Sequence, residues 1–185
     1  PKSSKGGFLL LGLLLAVALS LRLYGINWDQ GNLFHPDERA ILMKLWGGVS
    51  LPHSLDQFFS VDSPLNPKWF SYGSLPLYLL KGVATFASWF DRGLAGADMR
   101  LLGRGLSAVF DTGTVLLVFL LGARLYGRRA GILAAALAAL SVLSIQLSHF
   151  YTVDVLLTFF VALTVLLSVG LMQKVSLGRA ALVGL

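Results

Sequence analysis

Apolar positions in this chain come in long unbroken runs, not in the alternating or three-and-four spacing of a soluble fold. A helix needs about 20 mostly apolar residues to cross the hydrocarbon layer, and its backbone groups must be bonded within the segment. Four stretches meet that demand: Gly7 to Tyr24, Arg104 to Gly122, Gly131 to Ser148, and Asp154 to Met172. A fifth begins near Gly178 and continues over about 178–185. Lys2 and Lys5 precede the first run, but no small-x-small cleavage pattern follows it, and Arg22, Tyr24 and Trp28 have the character of interfacial anchors. We therefore expect a retained anchor rather than a cleaved signal.

Composition agrees with the pattern. The chain is 56% hydrophobic and only 13% charged, against about a quarter charged in ordinary soluble domains. The fold class expected is all-α, a polytopic helical membrane protein. Residues 1–185 read as a single transmembrane module and as a fragment of a longer chain. The net charge of +6 comes from basic residues scattered between apolar runs; they form no stripe, so a nucleic-acid partner is not expected. With no cysteine, disulfides, thiolate catalysis and cysteine metal sites are excluded.

Gly73 to Phe90 decides the topology. It carries Pro76 and a central Lys81, and if it spans, the loop holding Arg124, Arg128 and Arg129 falls outside, against the tendency of short cytoplasmic loops to collect basic residues. If it lies along the interface as an amphipathic helix, Lys2, Lys5, the three arginines, Lys174 and Arg179 all fall on the cytoplasmic side. The expectation is thus a cytoplasmic N-terminus in the plasma (inner) membrane. A long outer loop over about 25–103 carries a surface helix at about 37–48 and an interfacial helix at about 73–90. Asp154 is also outside.

That topology gathers separate charges on one surface. In FHPDERA, Pro36 followed by Asp37 and Glu38 suits a helix start. At 100° per residue, however, Glu38 shares a face with Ile41, Leu42 and Leu45, so a carboxylate heads the apolar side. Asp37 and Glu38 are candidate catalytic carboxylates, and His35 beside them is a candidate substrate contact. Arg104 reads either as a snorkelling anchor or as a phosphate ligand with a planar fork of donors, and Arg100 one turn earlier could share either duty. Asp154 reads as a helix cap or as a partner of Asp37 for a polar substrate or a divalent cation. In KWFSYGSLPLY, Trp69 and Tyr72 suit an interfacial belt or a sugar ring, and Lys68 could meet a lipid phosphate. Asp111, inside a span, reads either as a functional acid or as a structural one held by Ser107, Thr112, Thr114 or a neighbouring helix. Gly131, Ala135 and Ala139 at four-residue spacing signal close helix packing.

In order and spacing these pieces resemble the GT-C superfamily of membrane glycosyltransferases, most closely its protein O-mannosyltransferase and lipid A aminoarabinose transferase branch. The resemblance rests on the acidic pair in FHPDERA, the aromatic run into a Pro-Leu step in WFSYGSLPLYLL, the R-x-x-S-A pattern of Arg104, Ser107 and Ala108 with the basic turn and small-residue helix after it, and Asp154 in HFYTVDVLLTFF. It covers nearly the whole chain and implies a GT-C-like N-terminal transmembrane module. The implied activity is inverting transfer of a sugar from a polyprenyl-phosphate donor to a hydroxyl acceptor on a protein, lipid or glycan, at the outer face. Asp37 would be the base and Glu38 its support. Arg104, with Arg100 and Lys68, would meet the donor phosphate; His35, Trp69, Tyr72 and Asp154 would hold substrate or sugar. A divalent cation (Mg or Mn) on Asp37 and Asp154 is left open, with no other cofactor expected. Two other readings stay in play: a noncatalytic subunit with membrane-complex partners, and a transporter fragment using Asp111 and Arg104.

Overall fold

The computed structural model describes residues 4–90 and 99–184, with side chains from residue 6 onward. Lys2, the side chain of Lys5, residues 91–98 of the expected outer loop and residue 185 of the last expected span lie outside the described residues. Among the described residues the order is α1 (Ser4–Leu23), α2 (Pro36–Gly48), α3 (Leu55–Phe59), α4 (Leu75–Ser88), α5 (Met99–Tyr126), α6 (Arg128–Ala139), α7 (Val142–Ser148), α8 (Val153–Gln173) and α9 (Leu177–Gly184), with no strand. Helices α1, α5 and α8 are long and apolar enough to cross a membrane, and α6 with α7 make a fourth segment bent by 57°. The protein is an integral, polytopic helical membrane protein. At 14 residues, α4 rises only about 21 Å, short of a hydrocarbon layer about 30 Å thick.

The chain forms two compact units. The first comprises Pro1–Tyr24, Ala108–His149 and Asp154–Leu185, and the second Gly25–Ser107 and Phe150–Val153. In the first, Leu11 and Ala18 of α1, Val115 and Phe119 of α5, and Ala135 and Ala139 of α6 make a buried apolar core. The expected small-residue stripe is the contact surface. A Cβ on Gly131 would stand 2.6 Å from the Phe119 carbonyl oxygen, so only glycine lets α6 approach α5 this closely.

Two expectations change in this unit. The apolar run 131–148, read as one helix, is broken at Leu140 and Ser141. Ser141 caps α7 by accepting the Ser144 N–H, an arrangement that favours a new helix start over continuation. The break leaves carbonyls at the end of α6 without helical partners, and here Arg22 enters. Read from sequence as an interfacial anchor, Arg22 is instead completely buried. Its Nη1 donates to the Ala139 and Ala18 carbonyls, both at 3.0 Å, and Nη2 donates to the Ala138 carbonyl at 3.3 Å. Its Nε donates to Asp111 Oδ2 at 2.5 Å. Asp111 is thus held by a cation from another helix, while Thr112 and Thr114 turn their hydroxyls back to carbonyls of α5 itself.

In the second unit, α2 packs on α4. Its buried face is Glu38, Ile41, Leu42 and Leu45, the face expected from the helical wheel; α4 buries Pro76, Leu77, Leu80 and Ala84. Before α2 the chain winds through Gln30 and Leu33, both at φ +50°, and Gly31 at φ +95°. Left-handed conformations disfavour Leu and Gln, and hydrogen bonds to Asp29 from the Gly31 and Leu33 N–H groups hold the loop there.

Candidate active site

The second unit collects four charged side chains in a water-poor corner. Asp29, Glu38 and Arg104 are almost wholly buried and Arg100 nearly so. Arg104 Nε donates to Glu38 Oε1 at 2.8 Å and Nη2 to Glu38 Oε2 at 2.6 Å. Nη1 donates to Asp29 Oδ1 at 3.0 Å and to the Ile26 carbonyl at 2.9 Å, and Nη2 donates also to Asp29 Oδ2 at 2.7 Å. These bonds account for all five N–H groups of a guanidinium. Arg100 adds a second cation at Asp29 Oδ1, 2.5 Å away, and reaches Asn27 Oδ1 at 2.7 Å. Two carboxylates and two guanidiniums sum to zero charge, the condition under which ions are tolerated in an interior.

Burial pushes the Asp29 carboxyl upward, but the Arg104 hydrogen bond, the Gly31 N–H and the charges of Arg104 and Arg100 together outweigh it and hold the group down at about 2. Glu38 receives one more bond, from the Tyr151 N–H to Oε1 at 3.0 Å. The Tyr151 hydroxyl in turn donates to the Pro76 carbonyl at 2.7 Å, and burial pushes its phenol upward. Its ring lies on Gly103, where a Cβ would come within 2.8 Å of Cγ. The network thereby fastens the loop before α2, the first turn of α2, the start of α5 and the Phe150–Val153 link.

Asp37 lies outside this lock. It is half-buried, Oδ1 accepts the Tyr72 hydroxyl at 2.6 Å, and no described residue donates to Oδ2. Trp69 meets the Tyr72 ring edge-on at 5.3 Å. The His35 ring lies 4.5 Å from that of Phe150, and its Nδ1 is buried without a hydrogen-bond partner among the described residues. Lys68 is exposed and paired with the equally exposed Asp62 at 2.9 Å. Asp154 belongs to the other unit, exposed in the first turn of α8.

Sequence reasoning passed over Asp29, the carboxylate both arginines share. Its signal was present: an acid in a chain with only nine, set just after the first span in a turn with Gly31. Among the described residues no three His, Asp or Glu side chains stand together as a metal site. Asp37 Oδ1 accepts the Tyr72 hydroxyl, and Asp29 and Glu38 accept guanidinium and backbone N–H groups.

The family of dolichyl-phosphate-mannose-protein mannosyltransferases matches residues 86–185, more than half of the chain. The chain belongs to this family. No curated protein and no solved structure matches it. The stretch matched by the mannosyltransferase family carries Arg100, Arg104, Tyr151 and Asp154, while Asp29, Asp37 and Glu38 precede it; ion pairs bind the two parts of the second unit together. Membership assigns the chain to the GT-C type of membrane glycosyltransferase and points to glycosyl transfer in general.

Proposed function

We propose that this chain carries the acceptor-activating part of a transferase that moves a sugar from a polyprenyl-phosphate donor to a hydroxyl acceptor at the outer face of the membrane, with inversion. The observation that carries the reading is Asp37. Of the three carboxylates gathered around the start of α2, it is the one with an oxygen that no described residue engages. In the proposed step the acceptor oxygen attacks the anomeric carbon from the side opposite the phosphate. The new C–O bond forms as the bond to the phosphate oxygen breaks, the acceptor proton passes to Asp37 Oδ2, and the polyprenyl phosphate leaves with the bonding pair. Tyr72 orients Asp37 through its short hydrogen bond.

With all its donors engaged, Arg104 is assigned a positioning role, fixing Glu38 and with it the first turn that presents Asp37. The donor-phosphate contact is assigned to Lys68 and Arg100, whose donors are not all taken by described residues. His35, Trp69 and Tyr72 retain the sugar-contact role, and the acceptor is a hydroxyl of unspecified class. No step is routed through a divalent cation. The transporter reading places Asp111 on a hydrated pathway; its pairing with the buried Arg22 supports a structural role instead.

In the full-length protein, Asp37→Asn is expected to lower transfer from a polyprenyl-phosphate sugar by about 10²–10⁴-fold, the usual size of a general-base contribution, with an unchanged melting temperature. Undiminished turnover rules out Asp37 as the base. The outer-face assignment has its own test. A membrane-impermeant thiol reagent added outside should label a cysteine at position 91 and spare one at position 127, and the reverse pattern overturns it.

A further inference from the structure

The first unit distributes its charge unevenly. Its two acids are Asp111, spent on Arg22, and Asp154 in the first turn of α8. Arg124, Arg128, Arg129, Lys174 and Arg179 occupy the end of α5, the start of α6, the far end of α8 and the start of α9. Asp154 and Gln173 lie 19 residues apart on α8, a rise of about 28 Å. Neither acid lies at the end of α8 that Lys174 and Arg179 follow.

A cleft of about 240 Å³ opens at this end, lined by Arg124, Leu167, Gly170, Arg179 and Leu182. Two guanidiniums are anchored in its wall. Arg124 Nε donates to Gln173 Oε1 at 2.7 Å, and its terminal nitrogens lie against Gly170, where a Cβ would come within 3.0 Å of Nη1. Arg179 Nη1 donates to the Gly170 carbonyl at 2.7 Å and the Lys174 carbonyl at 3.3 Å. Nη1 and Nη2 of Arg124, and Nε and Nη2 of Arg179, have no acceptor among the described residues. These two forks sit beside Leu167 and Leu182, near the ends of α5 and α8, both long enough to cross a membrane.

We propose that this cleft is a binding site for the phosphate headgroup of an anionic membrane phospholipid. Two planar forks beside one small cleft match the oxygens of a phosphate diester, and the apolar residues adjoining them accept the start of an acyl chain. The volume falls below the 300–1,000 Å³ typical of small-molecule sites and suits a headgroup whose chains stay in the bilayer. Basic pockets between membrane helices are suited to such lipids. Gly170 is part of the site because a larger residue would push Arg124 out of the wall. The proposal is independent of the transfer reaction and of which carboxylate performs it.

The test uses the full-length protein in detergent, titrated with phosphatidylglycerol and, separately, with phosphatidylcholine of the same acyl chains, with bound lipid counted by native mass spectrometry. One phosphatidylglycerol per chain is expected to bind in clear preference to phosphatidylcholine, and millimolar inorganic phosphate should not displace it. Arg124→Gln and Arg179→Gln should each weaken binding about fivefold, the effect expected of one basic residue near a lipid surface. Arg129→Gln, which removes an exposed basic residue outside the cleft, should change it less than twofold. Equal losses from all three variants identify diffuse attraction and overturn the site. Equal binding of phosphatidylcholine, or displacement by inorganic phosphate, overturns the lipid. Gly170→Leu separates local geometry from misfolding: with the melting temperature retained, it should weaken phosphatidylglycerol binding as Arg124→Gln does, and unchanged binding argues against the cleft.

Discussion

Each unit buries an arginine completely, and the two are compensated differently. Arg22 meets one carboxylate and three backbone carbonyls, two of them at the end of α6 where the helix breaks. Arg104 meets two carboxylates and a single carbonyl. The first guanidinium repairs a backbone inside a helical bundle. The second ties a loop, a helix start and a distant link into one body, and through Glu38 it holds the turn that carries Asp37. A buried arginine is therefore not in itself a sign of chemistry. What distinguishes the second unit is the neighbouring carboxylate that the network leaves partly unengaged.

The largest expected effect tests that distinction directly. Arg104→Leu leaves Asp29 buried with Arg100 and leaves Glu38 buried with only the Tyr151 N–H, and removal of one partner from a buried ionic cluster costs about 3–5 kcal/mol. Thermal unfolding in detergent should show that loss, and transfer activity should fall with it because Glu38 no longer fixes the first turn of α2. Arg104→Lys should recover little of either, since an ammonium cannot supply a planar five-donor fork. If Arg104→Lys melts and turns over like the parent, the network is a charge balance and not a geometric device.

Arg22→Leu should cost less, about 2–3 kcal/mol, because the single carboxylate left behind can take a proton and remain as a neutral acid. Adding Asp111→Leu should return part of that loss, since an apolar replacement of a whole buried pair is often tolerated. Recovery should stop short by about 1 kcal/mol, the usual net value of a hydrogen bond, because the Ala139 carbonyl stays without its donor, whereas the Ala138 carbonyl keeps the Ser141 N–H. A double-mutant cycle on unfolding measures both quantities. Full recovery would show that the α6–α7 break does not need Arg22, and would erase the contrast between the two units.

The legible parts of this architecture were those set by periodicity. The long apolar runs gave three of the membrane-length helices, the small-residue stripe gave the close packing of α6, and the wheel position of Glu38 gave its burial. The fourth run misled because Leu140 and Ser141 contain neither proline nor glycine, and nothing local separates a serine inside a helix from a serine that caps one. Arg22 near the end of an apolar run has the signature of an interfacial anchor, and its burial depends on Asp111, 89 residues away. Arg104 and Asp154 could be nominated from motif order. That Arg104 retains no free donor is a tertiary fact, set by Asp29 in a loop with no periodicity to betray it. Motifs located the charged corner, but only the hydrogen-bond count separated the locked carboxylates from Asp37.

The smallest expected effect concerns the acid limit of that corner. Asp29 is held at about 2 in the folded protein, below the 3.8 of an unperturbed aspartate. A carboxylate depressed by folding stabilises the native state above its unfolded pKa, and that contribution disappears as protons bind between the unfolded and folded values. The stabilisation is thus fully present above about pH 5, declines from about pH 4 and is gone below about pH 2. Its size is about 2 kcal/mol. Near-ultraviolet circular dichroism across an acid titration in detergent should show the second unit's aromatics, Trp28 and Tyr151 among them, losing their fixed environment over that window. Asp29→Asn should be less stable at pH 7 and should lack the corresponding part of the acid dependence. Arg22→Leu should leave that part of the profile unchanged, because Arg22 and Asp111 pair in the other unit and share no partner with Asp29. An acid profile that follows Arg22 and ignores Asp29 would reverse the assignment of the titrating network.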